Sequence, residues 1–100
     1  MNEYSTQEEI DRGREAGRII NSDLWKEAIE GIDRSLLDKM IEHHGDAKAC
    51  QEIAMTKVVV DNFVSWFKEI EETGQMAEYQ LNQEAEIEKR KQRLRAIPGA

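Results

Sequence analysis

One hundred residues allow one small domain with a modest core. Hydrophobic residues make up 39% and charged ones 35%, with one proline and six glycines, which excludes a wholly disordered chain, argues against a sheet and favours helices. The net charge of −7 sets the surface as a whole against phosphate backbones.

The charge is unevenly spread. Residues 86–100 hold Glu86 and Glu88 against Lys89, Arg90, Lys91, Arg93 and Arg95, a balance of +3, so residues 1–85 carry −10. Cys50 is the only cysteine, which rules out an intramolecular disulfide and fits a reducing compartment. No apolar run approaches the ~18 residues of a membrane span. The opening MNEYSTQEEIDRGRE lacks the basic and apolar regions of a secretory signal. No membrane partner is expected.

Thr6 and Glu9 have the spacing of a capping box, predicting a first helix to about Ile20. Its apolar residues are few: Ile10, Ala16, Ile19 and Ile20. Gly13 and Gly17 lie four apart on one face, and each lowers helix propensity by up to about 1 kcal/mol relative to Ala. Two readings stay open: close approach of another helix, or a weak and frayed one. Asn21 can close this helix, and Asn21 or Ser22 can cap the next.

The second helix runs from Asp23 to about His44, with a stripe of Trp25, Ala28, Ile29, Ile32, Leu36 and Met40. Asp23 at its start and His43 and His44 at its end suit the helix dipole. Gly45 fits the left-handed position after a helix and Asp46 the next N-cap, so a short antiparallel connection is expected.

The third helix begins at Ala47. Ile53, Thr56, Val60, Phe63, Phe67 and Ile70 form a heptad seam that continues through Gly74, Ala77 and Leu81 and fails at Glu84 and Glu88. Cys50, Ala54, Val58, Val64 and Trp66 widen the apolar surface on a second flank. The helix is therefore expected to be covered on two sides, by the second helix and by something else. Gly74 keeps the phase set by Phe63, Phe67 and Ile70, so the helix is expected to run through it, with small residues admitting another helix. On that reading Gly74→Ala is neutral or stabilising by up to about 1 kcal/mol, and marked destabilisation would signal a left-handed Gly74. Residues 82–97 are polar and helix-forming, and Pro98-Gly99 ends the pattern. The expected organisation is an all-α domain over 1–81 with a charged extension over 82–100. The domain comprises a short N-terminal helix and an antiparallel hairpin containing a long third helix.

No constellation announces a chemistry. His43, His44, Asp46 and Cys50 are badly spaced for a metal, since adjacent helical residues point about 100° apart and no second Cys/His pair completes four ligands. Acid pairs such as Glu8/Glu9 and Glu71/Glu72 fall on solvated faces, and no phosphate-binding glycine loop or nucleophile motif is present. No catalytic, metal or cofactor residue is expected, and the chain reads as a non-enzyme. Phe63 and Phe67 share a face, whereas Trp66 is rotated from them and suits either a core or a partner. The expected partner interface is Val60, Phe63, Trp66, Phe67, Ile70, Gly74, Ala77 and Leu81. The basic arm of Lys89, Arg90, Lys91, Arg93 and Arg95 fits a helix C-terminus, an acidic protein surface or nucleic acid. No aromatic is interleaved there to stack single strands.

IINSDLWKEAIEGI, a polar turn, and a long helix closing in ETGQMAEYQL together resemble a group of small helical proteins encoded by tailed bacteriophages. The shared features are the Ile19-Ile20 pair, Asn21, an amphipathic helix with the early aromatic Trp25, and the Thr73-Gly74-x-x-Ala77 close. The resemblance covers Ile19 to Leu81. The group has no assigned activity, so it implies no site residues. It implies a phage context, hence virion assembly or interference with a host protein, in the host cytoplasm or the virion. Three functions follow as expectations: an assembly protein that oligomerises or docks through its third helix, an acidic inhibitor or adaptor that binds a host factor, or a packaging accessory that uses residues 89–95.

Overall fold

The computed structural model describes residues 4–96. Three helices follow in order: α1 (Thr6–Ile20), α2 (Asp23–Glu42) and α3 (Ala47–Arg95). No strand occurs among the described residues, so the all-helical reading holds. The expected Pro98-Gly99 terminator lies outside the described residues.

Each helix starts where a short polar side chain can accept an orphan amide. Ser5, not Thr6, caps α1 by accepting from the Glu8 amide at 3.2 Å, so the cap lies one residue earlier than the Thr6–Glu9 spacing implied. Ser22 does two jobs at the α1–α2 break. Its hydroxyl donates to the Ile19 carbonyl at 2.7 Å and accepts from the Trp25 amide at 3.2 Å. Asn21 closes α1 by donating its side-chain amide to the Gly17 carbonyl at 2.7 Å. Asp46 caps α3 through the Ala49 amide.

The α2–α3 turn departs from expectation at Gly45, whose backbone is not left-handed. The helix stops at Glu42, and the Asp46 amide donates to the His43 carbonyl at 2.8 Å, closing a four-residue turn that does not require positive φ.

Both α1 and α2 run antiparallel to α3, end to end. As their numbers rise, their partners on α3 descend: Arg14 meets Glu78, Gly13 meets Gly74, Trp25 meets Phe63 and Phe67, and Asp33 meets Lys57. This corrects the expectation of cover on two sides. α1 continues the line of α2 along α3 rather than covering its second flank. On the second flank, Ala54, Val58 and Trp66 remain exposed, and only Cys50 and Val64 are half-buried.

The two contacts with α3 are built differently. Along α1, Ile10, Gly13, Ala16 and Gly17 are buried against a stretch that includes Gly74 and Ala77. A Cβ on Gly13 would stand 2.7 Å from the Gly74 Cα, so the two backbones touch. Along α2 nothing is fully buried, and large rings fill a wider gap. Trp25 lies 4.9 Å from Phe67 and 5.8 Å from Phe63, centroid to centroid. The result is a rod with extents of 83 × 28 × 20 Å.

Helix α3 runs unbroken through Gly74, as its seam phase indicates. The expected tolerance of Gly74→Ala does not survive, although the backbone there is not left-handed. An added Cβ would lie 2.7 Å from the Gly13 Cα and 2.8 Å from the Glu9 carbonyl oxygen, both backbone atoms that cannot rotate aside. Overpacking of this kind costs about 1–3 kcal/mol, and the propensity gain returns up to about 1 kcal/mol. Gly74→Ala should therefore lower stability by about 1–2 kcal/mol in urea unfolding while leaving helicity intact. Gly31→Ala, in the middle of α2 with nothing within 4 Å, should raise it by about 0.5–1 kcal/mol. Equal effects of the two changes would contradict the backbone contact.

Candidate interaction surface

The structure divides the expected interface residues. Gly74 and Ala77 are buried by α1, and Val60, Phe67 and Ile70 are half-buried within the chain. Phe63, Trp66 and Leu81 stay exposed. Trp66 leans edge-on against Phe67 at 5.1 Å and still leaves 53% of its surface open. Its position is thus fixed from below by the Trp25–Phe67–Phe63 cluster, as an anchor at an interface requires.

Two residues missed by the sequence reading extend this surface. Met55, Val59, Phe63 and Trp66 follow at spacings of four, four and three, which places them along one stripe of α3. All four are exposed, Val59 by 67%. Between Glu52 and Lys68 the only charged side chains are Lys57 and Asp61. These are occupied on the opposite flank, where the Lys57 ammonium lies 2.7 Å from Asp33 and 2.9 Å from Asp61. The stripe is therefore free of charge over about 22 Å of helix. The available signal was this run of uncharged residues in a chain that is otherwise one-third charged.

At its upper end the stripe meets α1. A shallow cleft there is lined by Arg12, Glu15, Ala16, Ile19, Trp66 and Ile70. Arg12 also lines a second cleft with Trp66 and Glu69, and its guanidinium lies 4.1 Å over the Tyr4 ring. A third, open recess between α2 and α3 is bordered by Leu36, Lys39, His43, Ile53 and Thr56.

The remaining sequence candidates have local roles. Cys50 donates to the His43 carbonyl at 3.2 Å, the His44 ring contacts the Ile41 carbonyl, and Asp46 is the α3 cap. Among the described residues no three His, Cys, Asp or Glu side chains are grouped to hold a metal ion. Among the described residues no helix is long and apolar enough to cross a membrane. Lys89, Arg90, Lys91, Arg93 and Arg95 are all exposed in the last turns of α3, beyond the reach of α1. At about 100° per residue they encircle the helix rather than line one face. The chain matches no family model, no curated protein and no solved structure.

Hydrogen bonds that the Lys57 ammonium donates to Asp33 first, and to Asp61 second, hold its pKa above the ordinary value. A raised lysine pKa adds stability that is fully present below the unfolded value of about 10.4 and is lost as pH rises through the folded one. The gap in urea midpoint between the wild type and Lys57→Met should thus be constant near neutrality and shrink above about pH 10.4. A gap unchanged through that window would remove the ammonium from any role in linking α2 to α3.

Proposed function

We propose that this chain is a non-enzymatic structural or assembly protein, of the phage-encoded kind its Ile19–Leu81 segment resembles, that works by protein contact along α3. The observation that carries the reading is the surface left uncovered. The accessible area is 8161 Å², whereas a compact monomer of this mass exposes about 5,800 Å². The radius of gyration is 22.6 Å, against about 13 Å for a compact domain of this length. A hairpin only two helices thick has no layer behind α3, and the uncharged Met55–Trp66 stripe lies on that open side. Such a surface suits a protein completed by assembly more than one that turns over a substrate.

The experiment is to quantify the chain in purified particles and in assembly intermediates of the phage that encodes it. Many copies arrayed on a larger assembly are expected. Absence from both, with recovery in a soluble complex with a basic host protein, would replace this reading with the acidic adaptor. Loss of DNA retention on changing Lys89, Arg90, Lys91, Arg93 and Arg95 to Gln, with assembly intact, would replace it with the packaging accessory.

A further inference from the structure

We infer that the occupant of the Met55–Trp66 stripe is a second copy of this chain, packed antiparallel about a two-fold axis near the middle of the stripe. The inference rests on the assembly reading above and names its partner.

Area comes first. A stable pair needs about 800 Å² from each partner, and this chain exposes on the order of 2,300 Å² more than a compact monomer. Part of that excess lies on the wholly exposed 82–95 overhang, and the rest is spread along the rod, including the open side of α3 where the pair would form.

Shape comes second. A two-fold axis crossing α3 between Val60 and Asp61 sets Met55 of one copy opposite Trp66 of the other, Val59 opposite Asn62, and Val58 opposite Phe63. Each large residue then meets a smaller or more pliable one, and the Met55 sulfur approaches an indole, a favourable pairing. A parallel arrangement stacks Trp66 on Trp66 and Val59 on Val59, leaving large against large and a gap between the small ones. Antiparallel pairing also uses the same patch twice, as an isologous interface must.

Charge comes third. In a parallel pair the two basic arms lie side by side, so like charges face along the last turns of α3. Antiparallel pairing sends the arms to opposite ends. Its one like-charge meeting is Glu52 with Glu69 at each end of the stripe. Arg12 lines the cleft with Trp66 and Glu69 and stands at that level, beside Glu9.

Light scattering on the full chain after size exclusion tests the pairing. A mass twice the 11.6 kDa chain is expected at tens of micromolar, as an order of magnitude for a standard interface. Val59→Lys places a charge on an exposed position and should weaken the pair at least tenfold with helicity unchanged. Leu37→Lys, also exposed but one turn beyond Asp33 on the Lys57 flank, should leave the mass doubled. Orientation is read by oxidative crosslinking in a Cys50→Ser background. Glu52→Cys mixed with Glu69→Cys should crosslink, and neither alone should; self-crosslinking of each would overturn the antiparallel arrangement. A monomer that binds an apolar dye, with binding lost in Val59→Lys, would overturn the second copy yet leave a docking face for another protein. A monomer that binds no dye would overturn both the pairing and the assembly reading.

Discussion

The backbone contact between Gly13 and Gly74 is the constraint on which the arrangement of α1 depends. α1 has only three large apolar residues, Ile10, Ile19 and Ile20, and little to offer a conventional core. It compensates by approaching closely. With no Cβ on either side, two backbones meet, and the dispersion attraction of many main-chain atoms replaces that of bulky side chains. The contact also bears on register: a shift of one turn in one direction sets Glu9 against Gly74, and in the other it sets Gly17 there but takes Arg14 away from Glu78. Arg14 is thereby held opposite Glu78 at 2.8 Å, and Ala16 and Ile19 beside Trp66.

From that contact downward, the separation between the two layers widens. α2 stands off α3 by the thickness of aromatic rings, and no α2 residue is fully buried. One consequence is an aromatic cluster that supports Trp66 while leaving its outer face open. Another is that the apolar content of α3 exceeds what one opposing helix can cover. The Lys57 ammonium, held by Asp33 and Asp61, seals one flank with charge. The other flank, from Met55 to Trp66, has no such seal, and this asymmetry gives the rod a polar side and an apolar side.

Much of this was legible in local sequence. The polar residues at the breaks, the heptad phase through Gly74 and the short α2–α3 connection all depend on neighbours within a turn or two. The cap fell on Ser5 rather than Thr6 because both hydroxyls have an acid three residues later, and spacing alone does not separate them. Gly45 suits a left-handed cap but does not need one, since a hydrogen-bonded turn without positive φ serves equally well there. What the chain did not disclose was pairing at long range. Gly13 and Gly74 each looked permissive of close approach, yet nothing local says that they meet each other. For the same reason the second flank of α3 looked covered: the periodicity of one helix records that a face is apolar, not whether another element reaches it.

The overhang of α3 separates the local charge of the molecule from its total. Residues 82–95 project about 21 Å past the seam with α1. At physiological ionic strength a charge is felt over only about 8 Å. The last turns, with five bases after Glu88, therefore present a cationic field of their own, largely screened from the acidic body. A protein of net charge −7 meets its surroundings tip-first as a cation and side-on as an anion. Its approach to any charged surface is thus oriented along the rod before a single contact forms.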